Sequence, residues 1–277
     1  MKIMCLNGWG GKLYDTLLPY LTEENPDVLC LQEVVHTPET DKDWLTYKDG
    51  NHILPQRANF FRDVQTALPD HIGIFCPAAQ GVLWDGEIKI PSQWGLATFV
   101  RKSYPIIGQA QRFVHKSYTP YDYGEHPRSR SAHTVKIFDY KEGRPVVIAH
   151  MHGLRDLNGK MDTPERAAQA TKFRSLANEL TEQNDSLIVC GDFNVEPNSE
   201  TLNILSRAGL TELVTTRTTK GTRNSQYKKK SRYADYMLVN EHVNVIDFKV
   251  IFDPEVSDHC PIILTIYHCT YLGTAVE

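Results

Sequence analysis

Polar residues able to hold a metal or a phosphate recur at the ends of short apolar runs in this sequence. "IMCLN" ends in Asn7, "VLCLQE" in Glu33, and "LIVCGDFN" in Asp192 and Asn194. "VVIAHMHG" carries His150 and His152, while "ADYMLV" opens on Asp235 and "SDHCPIILTIY" on Asp258 and His259. Carboxylates gathered in one place repel one another unless a divalent cation sits among them. Asp, Glu and Asn offer hard oxygen donors, which suit Mg²⁺ or Mn²⁺ and not a structural zinc. Histidines beside them can donate to phosphoryl oxygens or relay protons. The set describes metal-assisted hydrolysis of a phosphate ester.

These groups meet only if the chain brings them to one edge. Four apolar runs finish with a polar group and two begin with one, so the last two must run antiparallel to the first four. Runs rich in Val, Ile and Leu predict strands at Ile3–Leu6, Val28–Leu31, Leu96–Val100, Val146–Met151, Leu187–Cys190, Tyr236–Val239 and Pro261–Tyr267. Helical spacing covers Lys12–Thr22, where Pro19 predicts a kink or a shorter helix. It also covers Pro164–Glu182, with Thr163 as N-cap and an apolar stripe of Phe173, Leu176, Ala177 and Leu180. A third helix is expected over Ser199–Ala208. His36–Trp94 reads as long and mixed, with a helix expected over Arg57–Leu68. Interspersed strands and helices predict an α/β or α+β fold. No repeat or linker divides it, so one domain is expected over residues 1–277.

The 277-residue chain is 41% hydrophobic and 23% charged, which suits an ordinary globular protein. Its net charge of −4 argues against a general nucleic-acid coat. No apolar run approaches the roughly 20 residues of a membrane helix, and "MKIMCLNGWGG" does not read as a signal peptide. The six cysteines lie singly, and Cys5, Cys30 and Cys190 sit inside apolar runs as small hydrophobes. A cytoplasmic location is therefore expected; nothing in the sequence fixes the oligomeric state, for which a monomer is favoured.

In order and at wide spacing, "LNGW", "LQEV", "HMHG", "GDFN", "ADYMLV" and "SDH" resemble the endonuclease/exonuclease/phosphatase superfamily, also called deoxyribonuclease I-like. The resemblance runs from Asn7 to His259. It implies a four-layer sandwich of two packed mixed β-sheets flanked by helices. It also implies a metal-dependent phosphoric ester hydrolase using one Mg²⁺ or Mn²⁺ ion, or two. Asp192 resembles the family's water-orienting aspartate and Asn194 its phosphate-contacting asparagine. Glu33 matches the principal metal ligand, with Asn7 beside it and Asp258 as a further metal-site carboxylate. His259 matches the histidine on the scissile phosphate, and Asp235 the carboxylate that orients its ring.

Plainer readings stand beside these. Asp192 and Asn194 would face one side of an extended segment, yet the same spacing makes an Asx turn. Asn7 could form a turn with Gly8, and Glu33 could be a strand-end charge in water. His150 and His152 share a strand face, so either could reach the mouth and bind the phosphate. The resemblance favours His152 as the phosphate-binding histidine, leaving His150 in the core or behind it.

The substrate is less legible. Arg217–Arg232 holds seven basic residues and no acidic one. Lys228, Lys229, Lys230 and Arg232 lead directly into Asp235, so they form either a loop that closes on an anionic substrate or a solvated charge run. A small phosphate mono- or diester, or a DNA or RNA strand, would fit. A non-catalytic polyanion-binding protein on the same scaffold is the rival from another class. "CPAAQGVLW", Cys76–Trp84, is a faint candidate for an exposed apolar hairpin.

Overall fold

Continuous runs of Ile, Leu, Val and Cys form strands that are buried on both faces. In β1 (Lys2–Asn7), Ile3 and Cys5 enter one hydrophobic core while Met4 and Leu6 enter another. β2 (Val28–His36) repeats the division, with Val28 and Cys30 on one side and Leu29 and Leu31 on the other. The computed structural model describes residues 1–50 and 52–268. Cys269 lies outside them.

The larger sheet runs in the spatial order β13 (Val243–Val250), β14 (Ile262–His268), β1, β2, β6 (Ile88–Arg101), β5 (His71–Asp85), β3 (Trp44–Asp49) and β4 (His52–Arg57). The smaller runs β11 (Thr211–Glu212), β12 (Asp235–Val239), β10 (Ser186–Asp192), β9 (Arg144–His152), β8 (Arg130–Asp139) and β7 (Ile106–His115). Helices α1 (Tyr14–Glu24) and α2 (Phe60–Ala67) bury Leu17, Leu21, Phe60 and Val64 against the outer face of the larger sheet. On the smaller sheet, α3 (Pro164–Glu179), α4 (Glu200–Ser206) and α5 (Val214–Arg217) contribute Phe173, Leu205 and Val214. The result is the four-layer sandwich of two mixed sheets that the motifs implied.

Each sheet contains one parallel pair among the described ladders, β1 with β2 and β9 with β10. The C-terminal ends of both pairs carry the polar groups. β14 pairs antiparallel with β1, and β12 with β10, so their polar starts arrive at the same edge.

Several boundaries differ from expectation. α1 runs through Pro19 to Glu24, because burial of Leu17, Leu18 and Leu21 outweighs the lost backbone bond. α3 stops at Glu179 rather than Glu182. The helix expected over Arg57–Leu68 begins only at Phe60, since Arg57 still belongs to β4. Cys76–Trp84 is no exposed hairpin: it lies within β5, paired along β6, with Cys76, Ala78, Ala79 and Leu83 buried. Among the described residues no helix is long and apolar enough to cross a membrane.

Candidate active site

The two parallel pairs place their last residues side by side. In the smaller sheet Asp192 is in register with His152 on one flank and with Asp235 on the other. In the larger sheet Asn7 pairs with Gln32, one residue before Glu33. The sheets join where the Asn7 side-chain amide donates to Asp192 Oδ2 at 3.0 Å, with both residues buried. Asn7 Oδ1 accepts from the Trp9 backbone at 3.0 Å, so the turn reading of Asn7 is also correct.

Asp192 lies at the centre. Its Oδ2 is 3.6 Å from His152 Nε2 and 3.6 Å from His259 Nε2. Its Oδ1 accepts the Asn194 backbone N–H at 3.0 Å. That bond is an Asx turn, and Asn194 has a φ of 54°. The pair is therefore not extended, and the turn itself aims both side chains. Asn194 Nδ2 in turn reaches the Gly153 carbonyl at 3.4 Å.

Glu33 does not end its strand. Pairing of β2 with β6 skips between Leu31 and Val34, and Glu33 adopts a φ of 55° within that irregularity. Such a bulge re-aims a side chain beside a site. Burial and then the like charge of Asp258 push the Glu33 carboxyl up to about 7; Asp192 adds to this, and the Asn7 amide opposes it.

His259 Nδ1 lies 2.8 Å from both oxygens of Asp235, whose Oδ2 also accepts from Thr222 Oγ1 at 2.7 Å. Burial raises Asp235 to about 6. Burial and then Arg223 lower His259 to about 4. The neutral ring thus donates Nδ1–H to Asp235 and turns a free Nε2 toward Asp192. His152 is held well below its usual range by burial, followed by Arg130 and His259. Its ring packs on Trp94 at 5.3 Å, and its buried Nδ1 has no hydrogen-bond partner among the described residues.

One ligand atom each from Asp192, Asp235 and His259 lie within 4.8 Å of one another. Their bonding argues against a metal there, because Asp235 is committed to His259 and Thr222, and Asp192 to Asn7 and Asn194. Glu33 is crowded by two carboxylates, which the charge of Arg155 only partly offsets.

His150 points elsewhere. Its Nε2 is 2.8 Å from Thr98 Oγ1 and its Nδ1 3.2 Å from Gln32 Nε2, in the core between the sheets. Lys228, Lys229 and Lys230 are exposed, and Lys228 Nζ donates to the Ser225 carbonyl at 2.8 Å. Arg232 donates to Asn224 O at 3.0 Å and Tyr227 O at 3.4 Å, bracing its own loop.

Three cations at the site escaped the sequence reading. Arg130 is buried, with Nε on the Gly153 carbonyl at 2.9 Å and its guanidinium 5.0 Å from the Trp94 ring. Burial lowers it to about 10, while Glu33 and Asp192 pull the other way. Lys160 crosses to the Tyr233 carbonyl, and Arg223 pairs with Asp258. Arg130 opens β8, Lys160 lies in a loop and Arg223 sits inside the basic run, and nothing in the sequence marks any of them as facing the site, so only the tertiary structure finds these.

The model described as the Endonuclease/Exonuclease/phosphatase family matches residues 5–259. The chain belongs to that family. No curated protein matches the sequence. Among solved structures, the chain is similar to a mannosyl-6-phosphatase of Bacteroides thetaiotaomicron, at 15% identity and TM-score 0.69 over 96% of this chain and 99% of that one. It is also similar to the human Nocturnin catalytic domain, at 20% identity and TM-score 0.64 over 96% and 94% of the two chains. A humanized D. rerio TDP2 matches at 16% identity and TM-score 0.64, over 96% and 98%. At these identities the likeness concerns the fold.

Proposed function

We propose that this chain is a divalent-metal-dependent phosphoesterase that hydrolyses a phosphate mono- or diester by in-line attack of a water oriented by Asp192. The observation that carries the reading is the convergence of Asn7, His152 and His259 on the single oxygen Asp192 Oδ2, with Glu33 alongside. Glu33 and Asn7 offer hard oxygen donors, and the charges of Asp258 and Asp192 crowd Glu33, which fits Mg²⁺ or Mn²⁺. When bound, the ion supplies Lewis acidity toward the phosphoryl group and the leaving oxygen.

The chain's own groups do the rest. Asp192, an acceptor-only carboxylate fixed by Asn7 and Asn194, aligns the attacking water and draws on its proton. Asn7, Asn194 and His152 hold the phosphate oxygens, the Arg130 guanidinium adds positive charge beside them, and His259 joins them only once its Nε2 carries the proton released by the attacking water. His259 Nε2 takes a proton, and Asp235 stabilises the imidazolium that forms. One domain spanning residues 1–277 suits this reading. The five described cysteines, all free and buried, support a cytoplasmic location.

A polynucleotide substrate is the second reading, favoured by the exposed Lys228, Lys229 and Lys230 beside the mouth. A Mg²⁺-supplemented screen of DNA, RNA, nucleotides, sugar and inositol phosphates and phospholipids separates the two. Counterion release makes KM for a polynucleotide rise steeply with salt, and mutating the three lysines to Ala together flattens that slope. On the substrate found, turnover vanishes with EDTA, and Glu33→Gln demands far more metal. Asp192→Asn lowers kcat by roughly 10²–10⁴ with little change in binding. Full turnover by the Asp192 variant would remove that residue from the chemistry.

A further inference from the structure

The Asp258 side of the mouth, its outer half because Asp258 is half-buried where Asp192 is fully buried, already contains a cation. Asp258, in the loop that leads into β14, faces Arg223 Nη1 with its Oδ2 at 2.5 Å. Its other oxygen lies 3.8 Å from His259 Nε2. Arg223 is only 8% exposed, and its guanidinium stacks 4.3 Å from the Tyr227 ring. Nor is it a swinging side chain from a free loop. The Arg223 backbone bridges to His259, its N–H donates to Arg232 O at 3.1 Å, and Thr222 O accepts the Cys260 N–H at 2.8 Å. The segment is stitched to the same strand start that carries Asp258 and His259.

The charges around Arg223 are those of the site. Burial opposes its charge, and Asp192, Asp258 and Asp235 more than restore it. A guanidinium cannot give up its proton in a protein, so this positive charge is permanent. A divalent ion bound between Asp258 and Asp192 would meet it at contact range.

We infer that Arg223 is the resident cation of the outer half of the mouth and Asp258 its counter-ion, so that the site takes one divalent ion, at Glu33. Asp258 then shapes the charge around the metal without ligating it. This departs from the metal-site role that the sequence motif implied for Asp258. The inference rests on the proposed hydrolase reading only in requiring that a metal binds.

The test is a Mn²⁺ titration of the full chain by isothermal calorimetry, paired with the Mn²⁺ electron paramagnetic resonance spectrum. The unaltered protein binds one ion and shows an uncoupled spectrum. Arg223→Gln opens the outer half, admits a second ion and gives the spin-coupled spectrum of neighbouring Mn²⁺ ions. Arg223→Lys keeps the charge and stays at one ion. Adding Asp258→Asn to Arg223→Gln returns the count to one. Two ions in the unaltered protein overturn the assignment while leaving the hydrolase reading intact, and that measurement needs no variant to fold. One ion in folded Arg223→Gln also overturns it. No ion in the unaltered protein, together with EDTA-insensitive turnover, would remove both the inference and the metal reading.

Discussion

His150 and His152 sit two positions apart on β9 and face one side of it, yet their surroundings assign them different work. His152 directs its Nε2 at Asp192, and its Nδ1 has no hydrogen-bond partner among the described residues. His150 has both ring nitrogens engaged, by Gln32 and Thr98. His152→Gln should therefore cut kcat by roughly 10²–10³, the cost of losing one donor to the charge that develops on the phosphate, with little change in melting temperature. His150→Gln should cost about 1–3 kcal/mol of stability through unpaired buried groups and leave the kcat of the folded fraction nearly intact. Parallel kinetic and thermal measurements decide this, and a reversed pattern would exchange their roles. Spacing alone could narrow the choice to a face but not resolve it, because both residues satisfy the same period. The reverse happened at Asp192 and Asn194, where the plain turn and the functional pairing describe one geometry. Arg130 and Arg223 were illegible because their meaning comes from carboxylates distant in the chain.

At the scale of elements, the strands that build the mouth were readable as continuous apolar runs, while the region 36–94 was not. There β3, β4 and β5 carry exposed and half-buried residues in no clean period, and α2 is only eight residues long. The bulge that aims Glu33 was also hidden, since nothing in "LQEV" marks a positive φ. Gly191 shows how tightly the central pair is built. It has a φ of 141°, and a Cβ there would lie 2.1 Å from the Met151 carbonyl oxygen. The β9–β10 ladder, which sets Asp192 beside His152, depends on that close approach. Gly191→Ala should destabilise the protein by at least about 1–3 kcal/mol from backbone strain alone, with the clash adding to it. Turnover should fall even where the variant remains folded, as Asp192 shifts against Asn7. Unchanged stability and kinetics would mean that the ladder can give way there at no cost.

Across the whole molecule, the two sheets are held in register by a polar chain as well as by the apolar core. Gln32 and Thr98 come from the larger sheet, and His150 and His133 from the smaller. Gln32 Nε2 can only donate, so His150 Nδ1 accepts, and His150 Nε2–H then donates to Thr98 Oγ1. The Thr98 hydroxyl is left to donate to His133 Nδ1 at 2.7 Å. This order requires both rings to be neutral. Burial lowers His133 from 6.5 to about 4, and lowers His150 well below its usual range. The sign follows from the proton count. Above about pH 7 neither the folded nor the unfolded ring is protonated, and stability is independent of this group. As pH falls through 6.5 the unfolded chain takes up a proton that folded His133 refuses until about 4. Stability is lost across that window, and His133 alone should account for roughly 2 kcal/mol by about pH 5. His133→Gln retains an acceptor for the Thr98 hydroxyl and cannot titrate. Urea unfolding at a series of pH values should therefore give a shallower acid slope for the variant, with the difference between the two proteins opening below about pH 6.5. Parallel slopes across that range would show that the ring of His133 is not what holds the sheets' polar seam neutral.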